Sequence, residues 1–482
     1  MMMSRNVRFS LPVSTLAFLL AAAAAPQAAA SGFQLRDQSG SGQGNSYAGI
    51  SAGGTDISSM FFNPAAMIRF EGNQFQVGLT EIAPDSKFSD GVATRSGGAG
   101  DISGPSSTGN IASSAVIPTV YAMWMVNPDL RLGISVNVPF GLTTNYDSGW
   151  MGRYQALKSH LQTLDIAPAI AYRLDPKWSV GFAFVARQAK AELSQGIDMG
   201  YEAAGEIQGL GLTNPGSAGI TPGTGDGSVD VKGSSWAYGY KLGLVYEPSK
   251  TLHFGLGYQS EIRENIKGTA TFSVPSSVQT GLFNMVEANG GSNTALAAAA
   301  GLQAATANGS VSALLVLPAT ISLGMLYDVS STFSLAAEIS DTQWSSFKEL
   351  RVKFSNPAAQ PDSVITENWK DALFVALGAT CHPAGNWTYR AGIALDKTPV
   401  PDSTRNPRIP DADRFWVSGG VGYQFSKAWG VDVGYSHLFC KNSTIDLQGG
   451  SNPQNASFFQ GNLSGTYKNS IDVLAMQARY HF

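Results

Sequence analysis

The chain has 482 residues, 43% of them apolar and only 14% Asp, Glu, Lys or Arg, with 54 glycines. Soluble globular proteins carry about a quarter charged residues, so much of this surface must face something other than water. The net charge of -4 gives no basic field for nucleic acid. Cys381 and Cys440, neither in a Cys-x-x-Cys pair, support neither a disulfide scaffold nor a cysteine metal site.

Residues 1–30 place Arg5 and Arg8 before an apolar run, Leu11 to Ala25, and end on Ala28-Ala29-Ala30. This pattern predicts a signal peptide cleaved before Ser31. No later stretch holds the roughly eighteen uninterrupted apolar residues that a spanning helix needs. A membrane protein with this sequence is therefore a barrel.

Residues 31–73 are rich in Gly and Ser and show no strand alternation. A segment this short cannot fold alone. Tied to the start of the first strand, it is expected to lie in a barrel lumen as a hatch. Near its end, in "FFNPAAMIRF", Asn63 can cap a short helix that has Pro64 at its first position.

From residue 74 onward, period-two alternation recurs in segments long enough to cross an outer membrane. In "WAYGYKLGLVY" the large residues Trp236, Tyr238, Tyr240, Leu242, Leu244 and Tyr246 share one face, while Ala237, Gly239, Lys241, Gly243 and Val245 share the other. The first face suits lipid. Such segments start near Phe75, Val116, Arg131, Thr163, Trp178, Trp236, Leu252, Leu317, Phe333, Ala372, Trp387, Phe415, Trp429 and Ile471. Tight links such as "NPD", "LDPK" and "EPSK" alternate with long ones, as in an up-and-down barrel with periplasmic turns and extracellular loops. The fold expected is all-β, a 14-stranded antiparallel transmembrane β-barrel over 74–482. Cys381 and Cys440 would sit at opposite ends of it, both free.

Three features bear on function. In "VPFGLTT", Pro139 and Gly141 flank Phe140 and interrupt the third strand. An unpaired backbone group in hydrocarbon costs several kcal/mol, so the break must face the lumen, an opening or a ligand. Two long loops carry unusual apolar content, including Leu282, Phe283, Met285 and Val286, which either pack the loops together or line a docking groove. Alternation turns Arg187, Lys241 and Arg390 inward, where they could meet a carboxylate headgroup or pair with inward acids. The five histidines are scattered and no GxSxG or HExxH motif occurs, so no enzyme activity, metal or cofactor is expected. His253 and His437 read as wall residues.

The elements Gly32-Phe33-Gln34-Leu35, Gly44 to Gly49 and Asn63-Pro64-Ala65 resemble the hatch of the long-chain fatty acid outer-membrane transporter (FadL) family. "VPFGLTTNY" and "IAYRLDPKWSVGFAF" look like that family's third strand and its fourth-to-fifth hairpin. The resemblance implies that the hatch, with Phe33, Asn63, Pro64 and Ala65, shifts when substrate binds. It also implies a lateral opening at Pro139, Phe140 and Gly141 and a loose lipid site between the two apolar loops. The family's basic residue just past the fifth strand falls here in Lys190 to Gln195, which contains Lys190 but no arginine.

The expected function is passive uptake of hydrophobic molecules across the outer membrane of a Gram-negative bacterium. Long-chain fatty acid comes first and monoaromatic hydrocarbons, carried by other members of that family, second. A dozen methylenes cost on the order of 10 kcal/mol to place in water, so a dry path is the useful device. Readings from other classes are an outer-membrane lipase and an adhesin. The partners expected are the substrate, outer-membrane lipid and lipopolysaccharide, and the barrel-insertion machinery that would read the terminal strand "VLAMQARYHF"; the protein is expected to be a monomer and not to bind nucleic acid.

Overall fold

In the computed structural model, which describes residues 32–212, 216, 219–452 and 456–482, the alternating segments pair into one closed antiparallel sheet. The signal peptide expected at 1–30 lies outside the described residues. Counted by passage through the wall there are fourteen strands. These are β1 (Gln74–Thr94), β2 (Ala115–Asn127), β3 (Leu130–Asn137, resuming as Gly141–Asn145), β4 (Lys158–Arg173), β5 (Trp178–Ile197), β6 (Gly227–Tyr246) and β7 (Leu252–Gln259 and Ile262–Ser273). The circuit continues with β8 (Gly309–Leu317 and Thr320–Ser330), β9 (Phe333–Thr342 and Glu349–Phe354), β10 (Ser363–Thr366 and Ala372–Cys381) and β11 (Trp387–Asp396). It ends with β12 (Arg414–Gln424), β13 (Trp429–Cys440 and Ser443–Leu447) and β14 (Asn462–His481).

β1 pairs with β2 on one edge and with β14 on the other, from Gln74 opposite His481 to Thr94 opposite Asn462, so no free edge remains. Several strands begin earlier than alternation predicts, notably β6 at Gly227, β8 at Gly309 and β14 at Asn462. These outer ends stand above the lipid. With no apolar solvent to match, they keep the hydrogen-bond ladder without its sequence signature.

Trp236 and Tyr238 are exposed on the wall, whereas Ala237, Lys241 and Val245 are buried within it. Near the periplasmic turns, aromatic pairs such as Trp178 with Tyr246 (4.2 Å) and Trp429 with Tyr480 (4.6 Å) form part of an interfacial girdle. Both cysteines are free. No described helix is long and apolar enough to cross a membrane.

Residues 32–70 lie inside the barrel as the short helix α1 (Gly40–Gly44) and three 3₁₀ turns, Ile50–Ala52, Ile57–Phe61 and Pro64–Arg69. Asn63 caps the last turn: its Oδ1 accepts the Ala65 amide at 3.0 Å, and its Nδ2 donates to the carbonyls of Ser51 (2.6 Å) and Leu244 (3.0 Å). The wall opposite must lack side chains for this turn to dock. A Cβ on Gly243 would lie 2.0 Å from Asn63 Oδ1, and one on Gly181 2.2 Å from the Ala65 nitrogen.

Outside the membrane, α2 (Met199–Gly209), α3 (Ser276–Gly290), α4 (Ser292–Ala305) and α5 (Ala456–Gln460) cover the barrel mouth. Leu282, Met285 and Val286 are buried there with Met199 and Ile207, and Phe283 is half-buried beside them.

Candidate functional site: a blocked gap in the wall and an apolar passage

The site begins at the break in β3. Pro139 and Gly141 interrupt the ladder, and the carbonyl and amide that the break frees turn inward to the hatch. Leu35 N donates to the Pro139 carbonyl at 2.8 Å, and Gly141 N donates to the Phe33 carbonyl at 2.9 Å. Gln34 and Phe140 form an antiparallel bridge between them. Thr163 completes the set, its Oγ1 accepting the Phe140 amide and donating to the Phe140 carbonyl, both at 2.9 Å. The gap in the wall is filled by three residues of the hatch acting as a substitute strand.

Phe33 holds this strand in place. Its ring meets those of Trp344 (4.7 Å), Trp369 (5.5 Å), Phe140 (6.0 Å) and Phe347 (6.1 Å). All five side chains are buried. Such edge-to-face clusters contribute beyond their buried area.

Above Phe33 lies a cavity of about 80 Å³ walled by apolar side chains such as Leu161, Leu193, Ile266 and Leu315. A larger groove of about 430 Å³ opens toward the loops, lined by Met199, Phe272, Phe354 and Phe459 among others. The two spaces share Leu193, Val231, Leu350, Val352 and Arg408, so they are contiguous, with Arg408 at the junction.

Arg408 is buried. Its donors go to the carbonyls of Lys158 (3.1 Å) and Ser194 (3.3 Å), to Ser159 Oγ (3.3 Å) and to Gln195 Oε1 (2.9 Å). It makes no ion pair among the described residues. Burial pushes its guanidinium down to about 10, against the favourable field of Glu367. Glu367, also lining the smaller cavity, is pushed up to about 7 by burial, although Trp369 Nε1 (2.7 Å) and Asn406 Nδ2 (3.2 Å) donate to it. A buried cation without a carboxylate partner is costly, and an anion entering the passage would relieve that cost.

The other cations named from the sequence are engaged elsewhere. Arg187 does point inward, but it is bound by both oxygens of Asp165 at 2.6 and 2.7 Å and stacks over Phe140. Lys241 donates to the Phe61 carbonyl at 2.7 Å and lies over the Phe61 ring, which makes it a hatch anchor. Arg390 pairs with Asp432 at 2.8 Å. Lys190 is exposed, on the opposite face of β5 from the buried Arg187 and Ala189, so it cannot reach a luminal headgroup.

Leu282, Phe283, Met285 and Val286 line neither cavity; they are the packing core of the loop helices. The residues that sequence reasoning missed are Arg408 and Glu367. A signal was present: Arg408 sits in a loop stiffened by Pro399, Pro401, Pro407 and Pro410, more constrained than a solvent loop needs.

His253 pairs with Glu247 at 2.9 Å and His437 with Asp472 at 2.8 Å, and no group of His, Cys, Asp or Glu among the described residues could hold a metal.

Residues 21–482 match the family model described as "Outer membrane protein transport protein (OMPP1/FadL/TodX)". The long-chain fatty acid transport protein of Escherichia coli K12 is 31% identical over 435 residues, covering 87% of this chain and 90% of that protein. The crystal structure of a Pseudomonas aeruginosa FadL homologue superimposes with a TM-score of 0.79 at 26% identity, covering 94% of this chain and all of that one. The Pseudomonas putida toluene transporter TodX shares the fold, with a TM-score of 0.62 at 18% identity over 91% of this chain and 99% of that one.

Proposed function

The chain belongs to the outer-membrane transport family of FadL and TodX, and from that premise we propose that it carries long-chain fatty acids inward across the outer membrane by diffusion. The observation that carries the choice of substrate is Arg408, a buried guanidinium with no ion pair among the described residues, set between a groove open to the loops and an apolar cavity.

In this reading the acyl chain leaves water in the loop groove. Its carboxylate takes Arg408, and the tail lies among Leu161, Leu193, Ile266 and Leu315. Occupying that cavity brings the tail against Phe33, the residue that seals β3. Displacing Phe33 withdraws Gln34 and Leu35 from the break, and the path from cavity to wall opens at Phe140 and Gly141. Asn63, Pro64 and Ala65 hold the far end of the hatch to β5 and β6, so that the movement stays local. No step requires catalysis, and none requires energy beyond the transfer of the chain from water, on the order of 10 kcal/mol for a dozen methylenes.

A hydrocarbon cargo would use the same cavity and ignore Arg408. The test is the lipid that co-purifies with the protein, identified by mass spectrometry, together with uptake of labelled oleate and labelled toluene in cells lacking other such channels. Oleate uptake with a bound fatty acid supports the proposal. Toluene uptake alone would refute it.

A further inference from the structure

The outer face of the wall carries lysines at one height. Four strands hold an aromatic residue near the periplasmic turns and a lysine twelve residues further out: Phe75 and Lys87 along β1, Trp178 and Lys190 along β5, Trp429 and Lys441 along β13, Tyr480 and Lys468 along β14. An even interval keeps each pair on one face, and all four lysines are exposed. Twelve residues rise about 30 Å along the axis of a barrel whose strands tilt by about 40°, just past an apolar band about 25 Å tall. These lysines therefore stand at the outer lipid interface.

Between β5 and β9 this level becomes a continuous row. Lys190 is opposite Ser234, Ser234 opposite Lys267, Lys267 opposite Ser312 and Ser312 opposite Lys353. Directly paired residues share a face, here that of the exposed Trp236 and Leu314, while Ile266, Val311 and Val352 line the passage on the inner face. Alternate strands are about 10 Å apart, so the row sets three lysines at even intervals with a short serine hydroxyl between each two.

The acids near this row are already taken. Glu192 is held by Lys158 (2.8 Å) and Lys232 (3.1 Å), Asp230 by Lys232 (3.7 Å), Glu261 by Arg263 (3.5 Å), and Glu349 and Asp362 by Arg351 (2.7 and 3.1 Å). Lys190, Lys267 and Lys353 make no ion pair among the described residues. Elsewhere at this height Lys87 is held by Asp85 at 2.7 Å and Lys441 by Asp413 at 3.4 Å. In a chain of net charge -4, three unpaired lysines fixed in register are a local excess that an anion would balance.

We propose that this row binds the phosphates of a lipopolysaccharide molecule in the outer leaflet, whose acyl chains lie on the wall below against Trp236 and Leu314. Lysine meets phosphate oxygens as a compact point charge, and Ser234 and Ser312 add hydroxyl donors. Basic clusters beside a membrane select anionic headgroups. Cations spread over about 20 Å suit a headgroup phosphorylated at two separate points, whereas a glycerophospholipid with one phosphate engages one lysine at a time. The row lies on the opposite face of the wall from the passage, so the proposal is independent of what the channel carries.

The test is native mass spectrometry of the full mature protein in detergent. The titrants are lipid A, the diphosphorylated anchor of lipopolysaccharide, the same lipid A with both phosphates removed, and phosphatidylglycerol. The triple variant Lys190→Gln, Lys267→Gln, Lys353→Gln is compared with Lys87→Gln, Lys441→Gln, Lys468→Gln, which removes equal charge at the same height. Heat-modified gel mobility checks that both fold, and Lys267→Gln alone serves if the row triple does not. Apparent affinity for lipid A should fall at least tenfold in the row triple, at least threefold in the single variant, and less than twofold in the comparison triple. The unaltered protein should bind lipid A at least tenfold more tightly than either other lipid. Equal losses in the two triples, no loss in the single variant, or equal affinity for dephosphorylated lipid A or phosphatidylglycerol would each overturn the proposal.

Discussion

The Gly141 amide donates to the Phe33 carbonyl at 2.9 Å, joining a strand of the wall to the first residues of the hatch. A break that would otherwise leave backbone groups unpaired in the membrane is satisfied by a segment that is not part of the wall. Under the proposed function the same bond stabilises the closed wall and marks where it would open.

Truncating the side chain that holds this seal should open it. For Phe33→Ala, losing a buried aromatic side chain costs about 3 to 5 kcal/mol, all of it in the seating of the hatch. Ion conductance in planar bilayers should rise, while the melting temperature of the barrel stays within a few degrees. Conductance equal to that of the unaltered protein would separate Phe33 from gating.

Arg408→Met keeps the length of the side chain and removes its charge. A charge-assisted hydrogen bond is worth about 1.5 to 3 kcal/mol, so the apparent affinity for a long-chain carboxylate should fall roughly 10- to 100-fold. Affinity for the alcohol of the same chain length should barely move. An equal loss for both ligands would mean that Arg408 only supports the loop.

Binding should also depend on pH through Glu367. Its carboxyl, pushed up to about 7 by burial, is neutral below that pH and charged above it. A bound carboxylate favours the neutral form, so affinity should decline from pH 6 to pH 8, and Glu367→Gln should flatten the profile. For stability the sign is the same: the unfolded group ionises near its ordinary value while the folded one holds its proton. Stability at this site therefore falls as pH rises from about 4.5 to about 7. Titrations of affinity and of unfolding over that range check both.

The sequence contains Asn-Pro-Ala-Ala twice, at Asn63 and at Asn356, and the two copies should behave differently. Asn63→Ala removes a cap and two contacts to carbonyls, a loss of about 1 to 2 kcal/mol that loosens the Pro64–Arg69 turn. Asn356 is exposed in a loop, and its substitution should change stability by less than about 0.5 kcal/mol. Gly243→Val should act like the first, since its side chain would occupy the space of Asn63 Oδ1. Hydrogen exchange of the 60–70 segment distinguishes the copies.

The sequence by itself determined the barrel. Lipid as solvent forces a period of two on every spanning strand, and that constraint is local, so Trp236 to Tyr246 declares its faces without knowledge of any partner. The break at Pro139 and Gly141 and the cap at Asn63 were legible for the same reason, because each residue type restricts its own backbone. Only the tertiary structure decided what those features touch. Arg187, Lys241 and Arg390 were read correctly as inward, yet Asp165, Phe61 and Asp432 occupy them. Leu282 and Met285 fill a helix core, while Arg408, in a loop without alternation, reaches the junction of the two cavities. Whether a buried cation lacks an ion pair among the described residues depends on pairings across the lumen between residues far apart in the chain, and no local pattern records them.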